Sequence, residues 1–186
     1  MAKSRPEYAE YLSWMGLTDA GSDDLELLAR SGGMRATDNL EVFECPSRNP
    51  DGHYEIIFFS HGIRHLPQDS VAAVSDLRPG DRLFLLPDPQ NHYDADAVVL
   101  RTNDPIRFAG YCPRYYARDL RKLLAHLDGE DVTATVECVN PDAPSQFRLL
   151  CKIRAPWPKD FTACDDEQFQ PIGEQADAGT RRHAVV

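Results

Sequence analysis

"RLFLLPDPQNHYDADAVVL", residues 82–100, holds two strongly apolar runs, 83–86 and 97–100, on either side of a polar cluster. Each run has the length of a short strand, and the Asp, Pro and Asn residues between them are turn formers. The stretch predicts a strand, a loop, and a second strand returning beside the first. The loop also carries Asn91, His92, Tyr93 and Asp94 in succession. A tyrosine beside an aspartate at a loop-to-strand junction can act as a stacking and hydrogen-bonding pair as well as a turn.

Working outward, the period of two continues. "HYEIIFFSHGI" (53–63) reads as a strand, and "LEVFECP" (40–46) as its hairpin partner across the turn-rich "SRNPDG". "IRFAGYC" (106–112) follows the quoted hairpin after a turn at Asn103–Pro105. "DVTATVECVN" and "FRLLCKIRA" form a last pair across "PDAPSQ". Short strands in turn-punctuated succession around one helix suggest an antiparallel barrel or sandwich, mainly β with α. Before residue 40 the period is helical. Tyr8, Tyr11, Leu12 and Met15 follow Pro6 at helical spacing, and Gly16 ends that run. "SDDLELLARSGG" carries an N-cap at Ser22 and a stop at Gly32–Gly33. The predicted organisation is a helical leader packed on the barrel (1–39), a β-barrel of six to seven strands (40–154), and an irregular tail (155–186). Trp157, Phe161 and Phe169 would pin the first half of that tail, and its end reads as disordered.

The chain has 186 residues, 42% hydrophobic and 27% charged, enough for one domain with a real core. No apolar run is long enough to cross a bilayer, and "MAKSRPEYAEY" has no apolar segment after its basic residues, so a cytoplasmic protein is expected. Cys45, Cys112, Cys138, Cys151 and Cys164 are scattered with no close pair, which speaks against structural zinc and a disulfide framework.

A net charge of −10 argues against generic phosphate binding, but its distribution matters. Residues 1–53 contribute −5 and residues 155–186 contribute −3, leaving −2 for the middle. Within the middle, the helix predicted over 113–127 has two faces. Tyr116, Leu120, Leu123, Leu124 and Leu127 make an apolar stripe, and Arg114, Arg118, Arg121 and Lys122 recur on the opposite side. With Arg107, five bases stand against the single acid Asp119 over residues 107–122. Such a face is either a solvated helix surface or a phosphate-contacting one.

Four features then stand in order: "HGIRHL" at 61–66, "LRPGDRLFLLPDPQNHYDADAVVL" at 77–100, "FAGYCPRYYARDL" at 108–120, and a closing strand pair. This set resembles the HIRAN domain family over residues 55–154. Its most specific part is N-x-Y-D-x-x-A at 91–97, followed by an apolar strand and then G-Y-x-P-R at 110–114. The resemblance implies an OB-like antiparallel barrel. Members occur at the N-terminus of fork-remodelling DNA translocases and as stand-alone bacterial proteins. It further implies capture of single-stranded DNA at a free 3′-hydroxyl end, without catalysis and without a cofactor. On that carry-over Tyr93 and Asp94 contact the terminal nucleotide, within a motif begun by Asn91. Arg64 helps hold base and backbone beside His65, and Arg114 matches the motif arginine, where a structural role fits as well; the basic helix face, not the resemblance, adds Arg118, Arg121 and Lys122 as candidate backbone contacts. His65 stands where the translocase members carry a stacking tyrosine, and the loop 139–146 has no aromatic.

Other constellations are weaker. Asp88, Asp94 and Asp96 lack the further carboxylates and held base of two-metal hydrolysis. His53, His61, His65 and His92 lie near strand ends, where histidines are more often surface groups than ligands. No phosphate loop, dinucleotide fingerprint or nucleophile elbow is present, so ATP-driven work would belong to a partner. The rival reading is an adaptor that docks a helicase, nuclease or toxin-like partner through its acidic flanks and N-terminal helices.

Overall fold

A computed structural model describes residues 3–17, 23–33, 41–128 and 131–169. Its frame is one six-stranded sheet in the order β1-β6-β5-β2-β3-β4, every pair antiparallel. The strands are β1 His53–Phe59, β2 Arg82–Pro87, β3 Val98–Arg101, β4 Phe108–Tyr111, β5 Thr133–Val139 and β6 Leu149–Pro156. Irregular pairing at Val136/Cys138 on β5 and at Leu100/Arg101 on β3 marks where the strands bend. The sheet curls until its outer strands meet. His61, just past β1, pairs with Tyr111 of β4 through two backbone hydrogen bonds of 2.9 Å. The result is an OB-like half-barrel, mainly β with α.

This meeting depends on one glycine. Gly110 has φ +109°, and a Cβ there would lie 2.1 Å from Ser60 Oγ and 2.6 Å from the His61 carbonyl oxygen. Ser60, itself buried, donates its hydroxyl to the Ala109 carbonyl at 2.6 Å. The backbones of β1 and β4 approach so closely that no side chain fits between them.

Helix α4, Arg114–His126, plugs the barrel with the stripe its spacing predicts. Tyr116, Leu120 and Leu123 are buried beside Val98, Leu100, Ala134 and Ile153, with Leu124 and Leu127 packed at the margin. The two N-terminal helices also form, α1 at Tyr8–Trp14 and α2 at Asp24–Ser31. Met15 and Leu150 are buried with Phe59 in a smaller cluster, joined by Tyr11 and Leu27. The cap of α2 is Asp23, whose carboxylate accepts from Leu25 N at 3.2 Å; Ser22 lies outside the described residues. Gly32 ends the helix at φ 72°.

Two departures have physical causes. The hairpin expected between 40–46 and β1 does not form: Leu40 lies outside the described residues, and over 41–49 there is no ladder to β1. β1 instead pairs along its whole length with β6, from His53↔Pro156 to Phe59↔Leu150. Phe43 packs against aromatic rings rather than a strand, with Tyr115 at 4.3 Å, Phe169 at 5.3 Å and Tyr116 at 5.8 Å. The turn "SRNPDG" survives as a lead-in to β1, with Asn49 Oδ1 accepting from His53 N at 2.7 Å. The second departure is an additional helix, α3 at Gln68–Asp76, which buries only Ser70 and Val74. The tail is pinned as expected: Trp157 and Phe161 pack on Tyr54, and Phe169 on Phe43. Residues 170–186 lie outside the described residues.

Candidate nucleic-acid interface

The loop that joins β2 to β3 holds itself together. Asp88 N donates to the Ala97 carbonyl at 2.8 Å, closing its base. Asn91 Oδ1 accepts from Tyr93 N at 2.9 Å and Asp94 N at 3.1 Å, and Asp94 Oδ1 accepts from Asp96 N at 3.0 Å. Side-chain acceptors thus replace the backbone partners that a tight loop lacks. Asn91 and Asp94 shape the loop, while Tyr93 is held outward with 92% of its surface exposed.

A second segment arrives from β1. After His61 and Gly62, a single 3-10 turn at Ile63–His65 buries Ile63 and leaves Arg64 and His65 exposed. Arg64 Nε donates to His65 Nε2 at 2.9 Å, so the imidazole accepts and the guanidinium is steered toward it.

Tyr111 links the two segments. Its hydroxyl donates to Asp88 Oδ2 at 3.1 Å and meets the Asn91 side chain, while its ring edge lies 3.4 Å from where a Cβ of Gly62 would stand. Burial, and then the Asp88 carboxylate, raise the phenol pKa above its ordinary value, so it stays a donor. Tyr111 thus contacts both the loop that carries Tyr93 and the segment at Gly62 that leads into the Arg64 turn. Its Gly-Tyr dipeptide was visible in the motif at 110–114, but not the partner 23 residues away.

The basic face of α4 is divided. Arg118 is ion-paired with Asp166, and Lys122 with Asp165, both acids from the tail. Asp96 of the loop adds a further negative charge near Arg118. Arg107 pairs with Asp69 of α3 at 3.0 Å. Among the described residues Arg114 and Arg121 have no carboxylate at ion-pair distance. The tail is anchored from below by Asp119, whose two oxygens accept from Cys164 N at 3.2 and 3.1 Å. Burial pushes that carboxyl up to about 6.

A phosphate would reach Arg118 or Lys122 only by displacing these tail acids. Substituting Asp165→Asn and Asp166→Asn together is expected to tighten binding to single-stranded DNA. It should also steepen the salt dependence by about 0.7 log units per cation released. Titrations at several salt concentrations check this; an unchanged slope would remove Arg118 and Lys122 from the interface.

The Asp88 and Asp94 carboxylates accept backbone N–H groups within the loop, and among the described residues no group of three His, Cys, Asp or Glu could hold a metal ion. The described cysteines are all free thiols. A cleft of about 350 Å³ opens elsewhere, between α2 and residues 44–57, and Glu26, Glu44 and Glu55 line it. Arg30 lines it too, and two of its three carboxylates are already ion-paired, Glu26 with Arg30 at 2.7 Å and Glu55 with Lys152 at 2.8 Å. No helix of the described residues is long and apolar enough to cross a membrane.

The family model described as HIRAN domain matches residues 53–157. Similar solved structures include a protein from Lactobacillus plantarum, 20% identical, with a TM-score of 0.42 over 56% of this chain and 99% of that one. Another is the HIRAN domain of human HLTF, 15% identical, with a TM-score of 0.40 over 57% of this chain and 80% of that one. No curated protein matches the chain.

Proposed function

Because the chain belongs to the HIRAN domain family, a family of nucleic-acid-binding rather than catalytic modules, we propose that it captures single-stranded DNA at a free 3′-hydroxyl end. The observation that supports this reading is Tyr111, which contacts both Asp88 in the loop that carries the exposed Tyr93 and Asp94 and Gly62 in the segment that leads into Arg64 and His65. Each group has a task that matches its chemistry. The Tyr93 ring is a stacking platform for the terminal base. The Asp94 carboxylate accepts from the 3′-hydroxyl, and would repel a phosphate in its place. Arg64 pairs with the backbone as a charge-assisted donor, and His65 adds a smaller stacking face. Arg114 and Arg121 lie ready for phosphates further along, and Arg118 and Lys122 join once the tail acids yield. Such a module would serve DNA repair, fork processing or a defence-like system in the cytoplasm, with a helicase or nuclease partner doing any ATP-driven work.

A fluorescence anisotropy titration at low salt tests the reading. A labelled single strand with a 3′-hydroxyl is expected to bind, and a blunt duplex to bind less well. Failure of 3′-hydroxyl, 3′-phosphate and blunt oligonucleotides alike would overturn it.

One observation favours the adaptor reading. Leu25 and Leu28 of α2 are exposed, a surface fit for an apolar segment of a partner. Nuclease-resistant recovery of one protein by the chain, lost on Leu25→Asp, would support it.

A further inference from the structure

The outer face of β2, β3 and β4 has no part in the end pocket, yet its side chains are unusual for a surface. Along β2 the alternation sends Leu83 and Leu85 to the core and leaves Arg82, Phe84 and Leu86 on the other face. The strand register then places Phe84 opposite Arg101, and Arg101 opposite Phe108, in one row across three strands. Arg82 and Arg101 both lie over the Phe84 ring, at 5.1 and 5.0 Å from its centre. Leu86 is 45% exposed and Phe108 42%, and Ile106, at 60%, stands just before β4. These three strands contain two arginines and no carboxylate, in a chain whose net charge is −10.

An apolar patch rimmed by cations is a binding surface by its chemistry. Two features select its occupant. The guanidiniums call for an anionic chain, and the rings call for flat apolar groups along that chain. Phe84 and Phe108 stand two strand spacings apart, about 10 Å, with Arg101 between them. Phe84 is covered by the guanidiniums and holds Arg101 beside the exposed Phe108, so a cation stands next to an open ring as a phosphate stands next to a base. The face is also continuous with the candidate loop, because Leu86 and Val99 are opposed one position before Pro87 and Val98, the last pair before β2 and β3 run into residues 88–97.

We propose that this face is a track for single-stranded nucleic acid, on which nucleotides 5′ of the captured end stack on Phe108 and place phosphates on Arg101, which the Phe84 ring holds in position. The proposal rests on the end-binding reading for the strand's direction, but has its own signature, a dependence of affinity on length. The exposed Phe108 and the half-buried Arg101 are the positions to alter.

The test compares a 3′-hydroxyl dinucleotide with a longer oligonucleotide of the same end, and with that oligonucleotide blocked by a 3′-phosphate. Wild-type protein is expected to bind the longer strand more tightly than the dinucleotide. Phe108→Ser should remove about ten-fold of that gain and leave dinucleotide binding unchanged. Arg101→Gln should lower the salt slope for the longer strand by about 0.7. Matching unfolding midpoints confirm that both variants are folded. If the blocked strand binds and loses affinity in the same variants, the track stands while the end reading falls. If the longer strand binds both variants like wild type, the track is wrong and the end reading stands. If no strand binds wild-type protein, both are wrong.

Discussion

Tyr93→Ala is expected to weaken binding of a 3′-hydroxyl single strand by about ten- to one-hundred-fold, the loss of one base–aromatic stack. It should leave the unfolding midpoint where it was. The ring is 92% exposed and contributes nothing to the core. What the loop needs from position 93 is its backbone N–H, bonded to Asn91 Oδ1, and alanine keeps that. Tyr93→Phe should bind nearly as well as wild type, because the stacking face survives. Asn91→Ala would differ, since it removes the acceptor shared by Tyr93 N and Asp94 N and so loosens the loop itself. A large loss with Tyr93→Ala and little with Tyr93→Phe identifies stacking. Equal, small effects from both would remove Tyr93 from the interface.

Gly110→Ala is expected to be the most destabilising single methyl in the barrel. The new Cβ meets Ser60 Oγ at 2.1 Å and a backbone oxygen, that of His61, at 2.6 Å. The serine can rotate only by giving up its 2.6 Å bond to the Ala109 carbonyl, and the backbone oxygen cannot rotate at all. The backbone at φ +109° adds its own penalty for any residue with a Cβ. The loss should exceed about 4 kcal/mol, in the range reserved for severe core disruption. For a chain of this size that lowers the unfolding midpoint by about 10 °C or more. Gly80 is the internal comparison: its φ is +90°, but a Cβ there meets nothing within 4 Å. Gly80→Ala should cost about 1 kcal/mol, from backbone strain alone. Thermal unfolding of the two variants separates the contributions, and equal midpoints would mean that the closure of β1 on β4 carries no energetic weight. Because that closure seats Tyr111 between the loop and the Arg64 turn, Gly110→Ala should lose DNA binding as it loses stability.

The contrast between these two positions explains what the sequence could disclose. Periodicity reveals which face of an element is buried, so β2, β3, β4 and the stripe on α4 were legible at once. Turn chemistry reveals loops, so Asn91 and Asp94 announced one. Periodicity does not reveal the partner. The apolar run at β1 suited residues 40–46 as a hairpin neighbour, and only the seven-pair register with β6 settles the matter. A local turn lowers the entropy of closing a hairpin, but a complete long-range ladder outweighs it. Helix α3 escaped notice because it is short, polar and committed to the core by little more than Val74. The candidate site shows the same divide. Tyr93, Asp94 and Arg64 stood out in ordered motifs, whereas the pairing of Arg118 and Lys122 with tail acids arises from chain segments more than forty residues away. Charge pattern shows that a helix face is basic, and tertiary structure decides whether another segment already neutralises it.

The central claim, that Asp94 and its neighbours recognise a free 3′-hydroxyl, is tested most directly by one ratio. The same labelled single strand is titrated with its 3′ end as hydroxyl and as phosphate, against wild type and Asp94→Asn. Wild type is expected to prefer the hydroxyl end by about ten-fold or more, from one hydrogen bond to a charged acceptor. In Asp94→Asn, whose side-chain oxygen can still hold Asp96 N, the preference should collapse toward unity while the protein remains folded. Equal affinity of wild type for the two ends would rule out recognition of the 3′-hydroxyl by Asp94.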